Sequence, residues 1–141
     1  MTSQTVADDA LLAAAARGMV VAYWAAERGA RAAIESAHGT RTFAALNARA
    51  NQLARALRRR GLQPGDAVVL LCTNRPEFAE VWAACQRAGV RLTPINWHLT
   101  GGEAAYIVGD CEAKALIADA RLAEVARGAA GAASPETSRL T

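Results

Sequence analysis

Apolar residues recur three and four apart at Phe43, Leu46, Ala50, Leu53 and Leu57, a spacing that predicts an amphipathic helix capped by Thr42. Arg58, Arg59 and Arg60 fall in its last turn, where positive charge complements the helix dipole, and Gly61 supplies a left-handed exit. The period then changes. Ala67-Val68-Val69-Leu70-Leu71-Cys72 is an unbroken apolar run, as in a strand covered on both faces, and the turn residues Gln63-Pro64-Gly65-Asp66 launch it. A helix follows with Asn74 or Arg75 at its cap and Pro76 in its first turn. Phe78, Val81, Trp82 and Cys85 are its expected inner face, and Gly89 ends it. Residues 90–95 read as a second strand, and Pro94 argues for an edge position. Thr100 and Glu103 form a capping box for a helix through Tyr106 and Ile107. Residues 115–118 then read as a third strand and 119–127 as a last short helix.

Upstream, residues 8–28 read as helix, with Asp8 or Asp9 as the cap and a break at Gly18, and a small hairpin is expected to turn at His38-Gly39. Strand, helix, strand, helix, strand at these spacings implies right-handed crossovers. The predicted fold class is α/β: a partial doubly wound, mostly parallel sheet with flanking helices, plus a small N-terminal hairpin. The expected divisions are an N-terminal extension with a weak helix at 1–18, a domain part at 19–127, and a flexible Ala/Gly/Ser tail at 128–141.

With 141 residues, 52% hydrophobic and 21% charged, the chain has one-domain length and ordinary globular composition, which excludes disordered, collagenous and disulfide-scaffold classes. Lys114 is the single lysine among 16 basic residues, so the net charge of +3 reflects an arginine-rich habit and no nucleic-acid partner is expected. Cys72, Cys85 and Cys111 have no CxxC spacing, which suits neither a disulfide framework nor a zinc site, and a cytoplasmic location is expected. The Ala-rich run near the N-terminus stops at Arg17, so no transmembrane segment is expected.

The chain has no GxGxxG and no GxxxxGK[ST] phosphate cradle, and no GxSxG elbow or HExxH helix. In open parallel sheets ligands sit beyond the carboxyl ends of the strands, which singles out Thr73-Asn74-Arg75, Asn96-Trp97-His98 and Asp119. Asn74 reads more simply as a helix cap than as a ligand group, His98 as a structural hydrogen-bonding residue and Trp97 as cover for a sheet edge. Arg58 to Arg60 read as a solvated helix end, and Cys72, with no histidine close in sequence, as a packed thiol.

The order Thr42-Phe43, Leu46, Asn51-Gln52-Leu53-Ala54, Gly61-Leu62-Gln63-Pro64-Gly65-Asp66 and Val68–Leu71 carries a family resemblance. It continues through Asn74-Arg75-Pro76-Glu77-Phe78, Ala88-Gly89-Val90, Pro94-Ile95-Asn96, Leu99-Thr100, Glu103–Ile107 and Ala113–Ile117. Over about residues 19–127 this order resembles the adenylate-forming enzymes, the AMP-binding acyl-CoA synthetases and their relatives. Asn96-Trp97-His98-Leu99-Thr100 is most similar to the fatty-acyl or related carboxylate–CoA ligase branch.

The resemblance implies activation of a carboxylate with ATP and magnesium to an acyl-adenylate, release of pyrophosphate, and transfer of the acyl group to the thiol of coenzyme A. It also implies that the phosphate-binding loop, the acidic grip on the ribose and the mobile lysine come from motifs further along the family's chain. No catalytic, cofactor-binding or metal residue is therefore assigned, and Trp97 and His98 stand as substrate-binding candidates near the channel. The expectation is an N-terminal segment of such a ligase, inactive alone. Its expected partners are the remainder of the synthetase and, in the full enzyme, the carboxylate. The alternative is a small non-catalytic α/β interaction module derived from the same scaffold.

Overall fold

The computed structural model describes residues 3–131 and 138–140. Two helices, α1 (Ser3–Ala16) and α2 (Val20–Arg28), precede a hairpin of β1 (Ala32–Ser36) and β2 (Gly39–Thr42) and the long helix α3 (Phe43–Arg59). Then β3 (Ala67–Leu71), α4 (Pro76–Ala88), β4 (Arg91–Ile95), α5 (Gly101–Asp110) and β5 (Ala113–Ala118) alternate. A 3₁₀ turn (Ala120–Leu122), α6 (Ala123–Ala130) and β6 (Ser138–Leu140) follow. The four-stranded sheet has the order β4-β3-β5-β6 and every pairing is parallel.

Strand β3 is buried along its whole length because it is central and covered on both faces. Its alternation sorts the core into two halves. Val68, Leu70 and Cys72 pack with Leu57 of α3 and with Val81, Cys85 and Ala88 of α4. Val69 and Leu71 pack with Ala104 and Val108 of α5 and Ala129 of α6. A third cluster, Val21, Leu46, Ala50 and Ala83, ties α2 to the outer side of α3 and α4. The helix joining β3 to β4 thus lies on one face of the sheet, and those joining β4 to β5 and β5 to β6 lie on the other. The winding reverses between β3 and β5, the topological switch point of this sheet.

Local sequence signals account for most boundaries. Thr42 Oγ1 accepts from Ala45 N at 3.2 Å and caps α3. Thr100 and Glu103 form a complete capping box on α5. Gly89 leaves α4 in the left-handed conformation at φ 71°, and Pro94 lies in the edge strand β4.

The differences have physical causes. Phe78 and Trp82, expected on the inner face of α4, are 36% and 40% exposed. The helix is gripped by the sheet on one side and by α3 on another, and the contacts are made by Val81, Ala83, Ala84, Cys85 and Ala88, since close helix packing leaves no room for rings. Helix α1 begins at Ser3, so Asp8 and Asp9 lie inside it and do not cap it.

At the other end, Gly128, Ala129 and Ala130, placed by the sequence in a flexible tail, complete α6, with Ala129 fully buried. Ser138–Leu140 pairs with β5, because backbone groups at an open sheet edge accept a strand that has no side-chain periodicity. The rest of the expected tail, 132–137 and 141, and residues 1–2 of the expected extension lie outside the described residues.

Candidate functional site

Strands β3 and β5 end side by side at the switch point, and Asp119 N donates to Leu71 O at 2.9 Å where they part. This geometry brings Thr73 and Arg75, leaving β3, to Asp119 and Arg121, leaving β5. The Asp119 carboxylate is 2% exposed. Its Oδ2 accepts from Thr73 Oγ1 at 3.2 Å, Arg75 Nη1 at 3.3 Å and Arg121 Nη2 at 3.0 Å. Its Oδ1 accepts from Arg121 N at 3.0 Å and Arg121 Nε at 3.3 Å. The Arg121 side chain, above all, and then its backbone N–H, Arg75 and Thr73 hold the Asp119 carboxyl far below the usual range against the opposing effect of burial.

A second row of charges extends this cluster toward the hairpin. Arg75 Nε donates to Glu77 Oε2 at 3.1 Å, Arg41 reaches Glu77 at 3.5 Å and Glu80 at 3.0 Å, and Arg49 approaches Glu80 at 3.9 Å. Burial works against ionisation of Glu77, but its own backbone N–H and the guanidinium groups of Arg75 and Arg41 outweigh it and lower its pKa. With its oxygens committed to these donors and its proton affinity depressed, Asp119 is a poor general base. The cluster acts as an ionic clasp that fixes the exits of β3 and β5.

Beneath the clasp lies a slot of about 320 Å³ bounded by Leu53, Leu70, Cys72, Val81 and Ile117, with Arg75, Glu77 and Asp119 at its rim. Burial, followed by the nearby carboxylates of Asp119 and Glu77, raises the pKa of Cys72 and keeps the thiol protonated. Cys85 is buried more deeply and its thiol is pushed up to about 12. Neither is an activated nucleophile, in keeping with the packed-thiol reading of Cys72.

Trp97 and His98 follow the carboxyl end of β4. Their rings stack with centroids 3.5 Å apart, and His98 N donates to Asn96 Oδ1 at 3.0 Å. The structure does not join them to the Asp119 clasp through any described hydrogen bond or ion pair. Asn74 is not the cap of α4, a position taken by Arg75 without a side-chain bond. Arg58 Nη2 donates to Arg87 O at 2.7 Å, so this arginine satisfies a carbonyl in the last turn of α4.

Thr73, Arg75 and Asp119 stood in segments that the strand-end rule singles out. Arg41, Glu77, Glu80 and Arg121 did not, since their partnerships carry no periodic or motif signal.

The family model described as AMP-binding enzyme matches residues 21–140. Among relatives, the long-chain fatty acid transport protein 1 of Bos taurus is 39% identical over 82 residues, which cover 58% of this chain and 13% of that protein. A fatty acid–[acyl-carrier-protein] ligase of Streptomyces coeruleorubidus is 34% identical over 98 residues, 70% of this chain and 19% of that protein. The benzoate CoA ligase of Burkholderia xenovorans LB400 superposes with a TM-score of 0.80 at 23% identity, over 86% of this chain and 24% of that chain, a likeness of fold. This chain thus spans less than a fifth of the length of these two curated relatives.

Proposed function

The chain belongs to the AMP-binding enzyme family, and from that premise we propose that it is the opening segment of the large domain of an ATP-dependent carboxylate–CoA ligase. In this reading it supplies scaffold and pocket wall and does not catalyse adenylation by itself. The supporting observation is one of extent: the family match runs from residue 21 to 140, yet the chain covers only 13% and 19% of its two relatives. ATP, magnesium and coenzyme A belong to the complete enzyme. The chemistry they supply is formation of an acyl-adenylate and its capture by a thiol, which requires groups preorganised around the triphosphate and the carboxylate. The residues described at the switch point are clasped to one another and offer no such set.

Two measurements test this reading. The purified chain should show no carboxylate-dependent exchange of pyrophosphate into ATP, and measurable exchange would overturn the scaffold assignment. A chimera in which residues 21–127 replace the matching segment of the Streptomyces ligase should keep its activity within about tenfold, as expected when wall residues and not reacting groups are exchanged. A folded chimera with no activity would count against it.

The same reading places Trp97 and His98 in the wall of a channel completed by sequence further along. Trp97→Ala in the chimera should then raise KM for the carboxylate more than it lowers kcat. Equal loss in both would remove Trp97 from the wall.

A further inference from the structure

Arg87, in the last turn of α4, reaches across to α3 with its guanidinium. Its Nη1 donates to Asn47 O at 3.0 Å and to Asn51 Oδ1 at 2.7 Å, which uses both N–H bonds of that nitrogen. The other edge of the fork is different. Nε and Nη2 are fully buried and donate to no protein group, and Asn47 Oδ1, also buried, accepts from none. Burial lowers the pKa of Arg87, and no carboxylate acts against that effect. A guanidinium does not give up its proton in a protein, so the charge stays and its buried donors need acceptors.

The arrangement of these groups identifies what supplies them. Buried donors and a buried acceptor at the same helix contact do not bond each other, so a gap separates them. A gap between complementary polar groups is where globular proteins hold an internal water, which makes two to four hydrogen bonds to groups the chain leaves unpaired. Nε–H and Nη2–H lie side by side on one edge of the guanidinium, an arrangement that grips oxygen. The acceptor then decides between ligands. An anion would satisfy the guanidinium but would face the lone pairs of Asn47 Oδ1, whereas a water accepts on one side and donates on the other. Turning the Asn47 amide over would put a third donor in that place and favour an anion, so the two ligands are separable by experiment.

We infer that the contact between α3 and α4 contains a binding site for an internal water, which accepts from Arg87 Nε and Nη2 and donates to Asn47 Oδ1. The water stands where an acidic side chain would otherwise be needed, and it joins the two helices beside the direct bonds to Asn47 O and Asn51 Oδ1. The atoms involved are closed off by the chain itself, so the site depends neither on what covers the rest of the surface nor on the ligase reading.

The test uses the full 141-residue chain in solution. In NMR of the nitrogen-15-labelled chain, the Arg87 Hε signal should show a cross-relaxation peak to water with the sign of a long-lived contact. Oxygen-17 relaxation dispersion should show about one fewer long-lived water per chain in Asn47→Leu than in the parent. The Hε shift of the parent should show no saturable change with chloride or formate. Absence of the water peak at Arg87 Hε, or an unchanged dispersion amplitude in a folded Asn47→Leu variant, would overturn the proposal. A saturable shift of Hε with either anion would overturn it too, by assigning the site to an anion. If Asn47→Leu does not fold, the Hε peak and the anion titration of the unaltered chain decide the matter.

Discussion

Gly101, the first residue of α5, and Gly128, in the last turn of α6, meet backbone to backbone. A Cβ on Gly128 would lie 2.8 Å from the Cα of Gly101, and one on Gly101 would lie 3.1 Å from the Cα of Gly128. The two helices cover the same face of the sheet, so their separation is set at this crossing.

Gly128→Ala should therefore destabilise the chain by about 1–3 kcal/mol, the usual cost of forcing a methyl group into a close-packed contact. Gly102→Ala, one residue from the crossing but facing open space, should be neutral or stabilise by up to about 1 kcal/mol. Urea denaturation of both variants checks the contrast, and an equal effect at the two positions would count against a crossing fixed by Gly128.

Asp119→Asn removes the charge on which Thr73, Arg75 and Arg121 converge, and should cost about 2–3 kcal/mol at pH 7. The folded pKa of Asp119 lies below its unfolded value of about 3.9, so its contribution is fully present above that value and is lost as pH falls below it toward the folded pKa. Denaturation curves at pH 7, 5, 4 and 3 should show the difference between parent and variant shrinking below about pH 4.

Thr100→Ala deletes the hydroxyl that accepts from Glu103 N at 3.3 Å and should cost about 1 kcal/mol. Amide exchange should quicken chiefly in the first turn of α5. Protection lost uniformly across the sheet would show that the box has a larger role than capping.

Glu112 has φ 53°, in the left-handed region, between α5 and β5. Glu112→Gly relieves the side chain of that conformation and should stabilise the chain by roughly 0.5–1 kcal/mol, after the added freedom of glycine in the unfolded state is set against it. A fall in the denaturation midpoint would show that the Glu112 side chain contributes more than its backbone costs.

What the residue pattern determined by itself was local or repetitive in origin. Periods of 3.6 and 2, the Thr42 and Thr100 caps, the left-handed exits at Gly61 and Gly89 and the proline in β4 sufficed for an α/β parallel sheet with a hairpin, and the ordered turns carried the family resemblance. Each of these signals acts within about one helical turn or one strand, so a single stretch of chain contains it.

Tertiary structure decided the rest. Phe78 and Trp82 face outward because a second helix claims the small-residue side of α4, and Gly128 belongs to a helix crossing because Gly101 lies beneath it. Asp119 became the centre of a clasp because the reversal of winding set it beside Thr73 and Arg75, whose hydrogen bonds to it span 46 and 44 residues. Partnerships at that separation depend on which strands lie side by side and on which face each crossover helix packs, and no local period encodes either.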